Sequence, residues 1–328
     1  MLDEKEEKFL ELFKSQKGFI NKNIKLKKNK EKGFHFIAKK DILKDTLLIK
    51  VPEKLLIPVE KFNKKYKLNN EFNKIYYEIL LDNSNYLNFH PLNSNEIEFN
   101  EIKSTIKSNK NLFKNFENKY YALRLLEPDN KKIELLSLTR AIFLKNYNKK
   151  FFMPLMDFVN YDENGTNYIQ NKDSDVLINS NKNLKKDDEI YINYAHTDPI
   201  TFYLKHGFIT KNFNSFKIKK NELSLNFNSD LNVNSDYFYT IGNVIKFKED
   251  IYFIKNKISK NIEKFMEIFP SSQKIKHMEK ILNYYKNLII INDEKVKELE
   301  NSIILREFYK SAIIYKKVID NYLKILQK

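Results

Sequence analysis

Residues 151–209 carry three groups of side chains that do not read as ordinary core. Pro154-Leu155-Met156-Asp157-Phe158-Val159-Asn160-Tyr161 runs apolar residues straight into polar ones. Residues 189–194 alternate Ile and Tyr, as a half-buried strand does, and end on Tyr194-Ala195. His206-Gly207-Phe208 follows a short helical run. Residue types bound the chemistry open to such a set. There is no cysteine, which excludes thiol nucleophiles, disulfides and Cys-based zinc sites. His35, His90, His196, His206 and His277 lack the spacing of metal ligands, so no metal is expected. A phenol with pKa ~10 is a poor base at neutral pH, so tyrosines here suit orientation and electrostatics rather than proton abstraction.

The elements that must position these residues follow from periodicity. Residues 3–16 read as a short helix with Phe9, Leu10 and Phe13 on one face and Gly18 placed to end it. Alternating strands are expected at 23–27, 34–38 and 46–51, with a polar turn at 39–45. Residues 60–147 are mostly helical. Phe72, Ile75, Tyr76, Ile79 and Leu80 form one apolar stripe, Leu112, Phe116, Tyr120 and Leu123 a second, and Ile133, Leu136, Arg140, Phe143 and Leu144 a third. An Asn/Ser-rich stretch, 83–111, broken by His90-Pro91, separates the first two stripes. Beyond Gly207, residues 216–218 and 223–227 alternate briefly as strands do, and from about Tyr237 helices dominate. Ile275, Met278, Leu282, Tyr285 and Ile289 share one face. Leu305, Phe308, Ala312, Tyr315, Ile319, Tyr322 and Leu326 alternate steps of three and four, which describes a long amphipathic helix of a bundle core.

In this order the short motifs resemble a SET domain, the methyl-transferring fold that uses S-adenosylmethionine (SAM). The likeness is greatest to the branch of the plant Rubisco large-subunit lysine methyltransferase, which has a helical insertion in the SET domain and a helical domain after it. Lys32-Gly33-Phe34-His35-Phe36-Ile37-Ala38-Lys39-Lys40-Asp41-Ile42 looks like the N-terminal SET signature, a Gly-x-Gly followed by apolar residues, with His35 in place of the second glycine. Leu47-Leu48-Ile49-Lys50-Val51-Pro52 continues it through the family's Val-Pro stretch. The resemblance covers roughly 18–209, and 275–328 weakly.

It implies an α+β fold: a SET-domain β-fold of short strands over 1–210, with a helical insertion at about 60–147, followed by an all-α substrate-binding domain over 211–328. It implies SAM as cofactor and Tyr194 as the catalytic tyrosine, with Ala195 where the family usually has glycine. Asn160 matches the Asn of the family's Asn-His pair, and Tyr161 stands in place of the His. Arg140 would pair with the cofactor carboxylate. Gly33, Phe34, His35 and Phe36 would line the cofactor with their backbone, glycine letting it approach closely. Asp157 and Phe208 complete the implied cofactor set, and Met156 and Tyr191 are implied walls of the substrate channel.

The implied activity is protein-lysine N-methylation, in which the protein aligns nucleophile, activated carbon and leaving sulfur. Two alternatives stay open. Histidine methylation occurs in the same branch, but there an Asn follows the Arg and a Trp precedes the Asp; here Ala141 and Met156 hold those places. The departures at His35, Tyr161 and Ala195 also allow a catalytically silent SET-fold scaffold. A basic nucleic-acid-binding protein is a third class, raised by the net charge of +16. Lysine and asparagine are spread along the chain, as codon bias from an AT-rich genome produces, and no segment forms a nucleic-acid motif.

The N-terminus, MLDEKEEKFLELF, is acidic and amphipathic, unlike a signal or transit peptide. No apolar run approaches the ~18 residues that span a membrane. A monomer in the cytoplasm or nucleus, acting on a protein substrate, is expected.

Overall fold

The computed structural model describes residues 2–29, 33–62, 70–194, 197–210, 212–218, 225–226, 238–241, 244–254, 257–258, 264, 267, 271–291 and 302–327. The chain divides into two compact units, Met1–Asn88 with Tyr121–Tyr194, and Phe89–Tyr120 with Ala195–Lys328.

The first unit begins with helix α1 (Glu4–Ser15), closed by a reciprocal cap: the Asp3 carboxylate accepts from the Glu6 N–H and the Glu6 carboxylate from the Asp3 N–H. Its apolar face buries Phe9 and Phe13. Among the described residues of this unit eleven strands follow: β1 (Phe19–Ile20), β2 (Ile24–Asn29), β3 (Gly33–Ala38), β4 (Leu47–Val51), β5 (Ile57–Pro58), β6 (Ile142–Leu144), β7 (Lys149–Phe152), β8 (Asn160–Thr166), β9 (Tyr168–Gln170), β10 (Val176–Asn179) and β11 (Glu189–Ile192). They form sheets of order β1-β4-β10-β9, β2-β3-β11-β8 and β5-β7-β6. β3 lies between β2 and β11, antiparallel to both, and every residue from Phe34 to Ala38 is buried. That explains its nearly unbroken apolar run, since an interior strand covered on both faces has no solvent side to keep polar.

β11 runs parallel to β8 with an abrupt change of partner. Tyr191 faces Asn160, but Ile192 faces Thr166. The intervening segment of β8 bulges around β11. Gly165 permits this: a Cβ there would stand 2.6 Å from the Ile192 carbonyl carbon and 2.8 Å from its N and Cα.

Between β5 and β6 come helices α2 (Val59–Phe62), α3 (Glu71–Asp82), α4 (Glu96–Ile106), α5 (Lys110–Arg124) and α6 (Pro128–Arg140). α4 lies inside the Asn/Ser-rich stretch, and its Asn95–Glu98 capping box is what lets a polar sequence start a helix there. The third apolar stripe is shorter than expected. α6 ends at Arg140, Ala141 is extended, and Phe143 and Leu144 belong to β6. In the first unit α1 packs on α3, where Phe9 stacks on Phe72 at 5.2 Å.

The second unit contains α4, α7 (Pro199–His206), α8 (Ser271–Asn287) and α9 (Ile303–Leu326). α9 is the long amphipathic helix expected from its spacing. It buries Leu305, Phe308, Ala312, Tyr315, Ile319, Tyr322 and Leu326 and packs on α4, α7 and α8. The Tyr203 hydroxyl donates to the Ile304 carbonyl at 2.8 Å, and Lys286 pairs with Asp320 at 2.6 Å. The C-terminal region is thus helical over α8 and α9, but the expected helices from Tyr237 and an all-α character throughout 211–328 do not hold. The described residues of 216–258 carry six short strands: β12 (Phe216–Ile218), β13 (Leu225–Asn226), β14 (Phe238–Ile241), β15 (Val244–Phe247), β16 (Ile251–Ile254) and β17 (Lys257–Ile258). They pair as β12-β16-β17 and β13-β15-β14. Their runs are aromatic and β-branched, and runs of four residues show too little periodicity to separate strand from helix. The strand expected at 223–227 is described only at Leu225–Asn226. Among the described residues no helix is long and apolar enough to cross a membrane, and no group of three or more His, Asp or Glu could hold a metal ion.

Candidate active site

The apolar-to-polar segment is a sharp turn between two strands. After β7, Leu155 adopts φ +75°, ψ −40°, a conformation that costs a residue with a Cβ roughly 1–3 kcal/mol. The side chain is fully buried, and that packing holds the strained turn in place. A single 3-10 turn, Met156–Phe158, follows, and β8 starts at Asn160. The apolar side chains of this segment go inward. Met156 is 1% exposed, and Phe158 stacks on Phe34 at 4.4 Å. Met156, expected at the substrate channel, is therefore a core residue here.

Asp157 is also turned inward. Its carboxyl accepts a hydrogen bond from the Tyr76 hydroxyl, and burial pushes it up to about 7 against the opposing pull of Tyr76 and Arg140. Its main-chain carbonyl accepts from an Arg140 terminal nitrogen (Nη1) at 2.5 Å. Arg140 Nε donates to the Tyr86 hydroxyl at 2.9 Å, and the guanidinium carbon sits 5.1 Å from the centre of the Tyr86 ring. Burial works against the cation, but the oxygens of Tyr86, Tyr194 and Asp157 outweigh it and hold Arg140 protonated. Both hydrogen-bond partners are neutral oxygens. Among the described residues no carboxylate lies within ion-pair distance of this guanidinium, and its second terminal nitrogen (Nη2) makes no hydrogen bond. A partly accessible arginine in that state is a ready partner for an anion supplied from outside.

Tyr194 closes the site from the end of β11. Its hydroxyl donates to the Val159 carbonyl at 3.0 Å, one residue before Asn160, and its ring lies 5.3 Å from that of Tyr161. Burial pushes the Tyr194 phenol up to about 12, although Arg140 pulls it down, so the group is a donor at neutral pH. Asn160 Nδ2 donates to Glu189 Oε1 at 2.8 Å, and Glu189 Oε2 accepts from the Tyr191 hydroxyl at 2.9 Å. Glu189 thus orients Asn160, while the Asn160 carbonyl oxygen makes no hydrogen bond among the described residues. Tyr161 is buried, and burial raises its phenol further than that of Tyr194.

On β3, Gly33 has φ +63° and a Cβ at this position would meet nothing within 4 Å, so the backbone there faces open space. His35, which follows on the same face of the strand, folds its Nδ1 back onto the Gly33 carbonyl at 3.2 Å and is buried. Phe34 and Phe36 point to the opposite face, into the core.

Phe208 belongs to the second unit, where it packs edge-on against Phe202 at 5.3 Å. The motif around it is a helix end. α7 stops at Gly207, which has φ +79° and donates to the Tyr203 carbonyl at 2.8 Å, and a Cβ there would lie 3.0 Å from His90 Cδ2. Ala195 lies outside the described residues. The fold therefore brings Arg140, Asp157, Asn160, Tyr161, Tyr191 and Tyr194 together. Sequence reading had missed Tyr76, Tyr86 and Glu189 as their supports.

A family model described as the SET domain matches residues 33–195. This stretch is a SET domain. Solved structures agree in fold over nearly the whole chain. The SET domain of LSMT bound to lysine and AdoHcy aligns with a TM-score of 0.53 at 14% identity, covering 99% of this chain and 92% of that one. Rubisco LSMT bound to AdoMet aligns with a TM-score of 0.54 at 14% identity and the same coverage. Rubisco LSMT bound to sinefungin and monomethyllysine gives 0.53 at 13%. At such identities the likeness is one of fold. No curated protein sequence matches the chain. The fold, a SET domain with several helices and a helical C-terminal region, resembles that of LSMT.

Proposed function

We propose that this SET domain is a SAM-dependent protein-lysine N-methyltransferase. The observation that carries the reading is the state of Arg140, oriented by two neutral oxygens, short of a carboxylate, and close enough to Tyr194 to act on its phenol. The α-carboxylate of SAM would complete that pairing, the side-chain oxygen of Asn160 would be free to accept from the cofactor's amine or adenine, and the open side of Gly33 would give its backbone access. The residues present thus fit the cofactor. The solved relatives bound to AdoMet, to AdoHcy with lysine, and to sinefungin with monomethyllysine support the same assignment.

Bound SAM supplies a methyl carbon already activated by its sulfonium. The chain's part is to bring a neutral amine in line with that carbon and hold it there. Tyr194 remains a protonated phenol, because burial raises it to about 12. It therefore orients by hydrogen bonding and does not remove the lysine proton. Desolvation of the incoming ammonium, and the nearby positive charge, lower the lysine pKa so that its proton goes to water before transfer. Asp157, protonated over much of the range below about 7, leaves Arg140 uncommitted to an internal carboxylate.

The test is transfer of radiolabelled methyl from SAM into proteins of a lysate, with Tyr194→Phe as control and acid hydrolysis to identify the modified residue. Label recovered as methyl-lysine with wild type and lost with the variant is the expected result. Label recovered as methyl-histidine would move the substrate class. A wild-type protein that neither labels nor gives heat with SAM in calorimetry would leave the SET fold as a silent scaffold.

A further inference from the structure

Arg140 is the last residue of α6, and a guanidinium on a four-bond side chain at a helix end has many rotamers to lose before it can meet a ligand. Here two of its nitrogens are committed in different directions. Nη1 donates to the Asp157 carbonyl, which fixes its distance from the turn before β8, and Nε donates to the Tyr86 hydroxyl at 2.9 Å. Two hydrogen bonds from different nitrogens define the orientation of a planar group, and the Tyr86 ring at 5.1 Å adds a favourable surface for the cation. Among the described residues Nη2 makes no hydrogen bond, and it is the edge able to face an anion.

Tyr86 comes from the helical insertion, 54 residues upstream of Arg140, in a short 3-10 turn (Asn85–Phe89) after α3. The turn is itself anchored: the Ser84 hydroxyl donates to the Leu81 carbonyl at 2.6 Å, the Leu87 N–H donates to the Ser84 carbonyl at 2.9 Å, and Leu87 is buried. Tyr86 between them is only half-buried, so its ring is not required to fill the core.

We infer that Tyr86 is a positioning residue of the SET site, orienting Arg140 so that its free edge meets the carboxylate of the bound cofactor. The inference rests on the reading of the domain as a SAM-dependent enzyme. It gives the insertion a task besides carrying helices, because one of its residues organises the cofactor side of the site.

The experiment is calorimetric titration of SAM into wild type, Tyr86→Phe, Tyr86→Leu, Arg140→Met and the double variant Tyr86→Phe/Arg140→Met, with a thermal melt of each to confirm folding. Tyr86→Phe keeps the ring and removes one hydrogen bond to a charged group, so a loss of about 5- to 20-fold in SAM affinity is expected, larger for Tyr86→Leu. In the Arg140→Met background Tyr86→Phe should change affinity by less than about twofold, since the residue acts through Arg140. In turnover, the KM for SAM should rise by the same factor with kcat nearly unchanged, a split that general loosening of the fold would not give. Unchanged SAM affinity in folded Tyr86→Phe and Tyr86→Leu, or an equal loss in the Arg140→Met background, overturns this inference alone. Absence of SAM binding by the wild type overturns it together with the reading it rests on.

Discussion

Asp157 is 6% exposed, its carboxyl is bonded to a phenol, and it is raised to about 7 from 3.8. Burial is the leading cause: an ionised carboxylate there loses more hydration than Tyr76 and Arg140 return. Because the folded state holds this proton more tightly than the unfolded chain, the group's contribution to stability is fully present below about pH 4. It is lost as pH rises through about 7. A shift of roughly three units corresponds to about 4 kcal/mol at most, and about 2–4 kcal/mol is a reasonable working range. Asp157→Asn keeps an acceptor for the Tyr76 hydroxyl and removes the titration. Urea melts of wild type and variant at steps from pH 5 to pH 8 isolate the term, since every other titrating group is common to both. The expected result is that wild type loses about 2–4 kcal/mol relative to Asp157→Asn across that range, with the variant the more stable at pH 8. SAM affinity should weaken above pH 7 in wild type and not in the variant, because ionised Asp157 competes for the charge of Arg140. A difference between the proteins that stays flat with pH would refute the reasoning. So would one that grows in favour of wild type as pH rises, because the carboxylate would then be stabilised by Arg140 rather than suppressed by burial.

Gly165→Ala places a Cβ 2.6 Å from the Ile192 backbone, where no side chain can move aside, so it should cost about 3 kcal/mol and loosen the pairing of β8 with β11, measured as a fall in melting temperature. Tyr194→Phe should lower methyl transfer about 100-fold while changing the SAM dissociation constant less than about threefold, since its hydroxyl acts on the reacting groups and only indirectly on the cofactor. His90 is fully buried, donates from Nε2 to the Lys205 carbonyl and accepts the Leu92 N–H at Nδ1, and burial lowers it from 6.5 to about 4. Its stability contribution is present above about pH 6.5 and lost as pH falls through about 4, opposite in sign to that of Asp157, so His90→Gln should flatten the acid limb of a stability–pH curve.

The parts of the site that could be read from sequence are those set by the backbone. Gly33 stands where φ is positive, Asn160 stands where a turn becomes a strand, and Tyr194 ends an alternating run. Each leaves a local mark in residue order. The supports leave none. Tyr76 reaches Asp157 across 81 residues and Tyr86 reaches Arg140 across 54; Tyr76 lies in a helix whose periodicity describes only which face is apolar, and Tyr86 in the Asn/Ser-rich stretch between two such stripes. Tyr76 was legible as a core stripe residue, and its hydroxyl, the part that matters to the site, adds nothing to that stripe. Strands were expected at 216–218 and 223–227, whereas those of residues 238–258 were missed for a different reason. Phe238–Ile241 and Val244–Phe247 are separated in sequence by Gly242-Asn243, a pair typical of hairpins, a signal that hydrophobic periodicity does not register.

Tyr161 is the departure from the SET pattern that bears most on catalysis, and its packing explains how the fold accommodates it. A phenol at this position, directed toward a ligand, would crowd the cofactor side of Asn160. Instead the ring is buried and inclined at 48° to the Tyr194 ring, 5.3 Å away. The side chain therefore serves as a wall behind Tyr194, and its main chain continues β8 from Asn160. Asn160 in turn is held by Glu189, whose second oxygen takes the Tyr191 hydroxyl. Tyr191 thus acts on the site through Glu189 and the orientation of Asn160, in addition to any wall it presents. The aromatic residues around Tyr194 divide by this criterion. Tyr86 and Tyr191 spend their hydroxyls on the groups that would grip the cofactor, Tyr76 spends its own on the buried Asp157 carboxyl, and Tyr161 contributes its ring. An aromatic-rich chain without cysteine or a metal cluster among its described residues builds its site from phenols, and their hydrogen-bond partners separate reacting group from support.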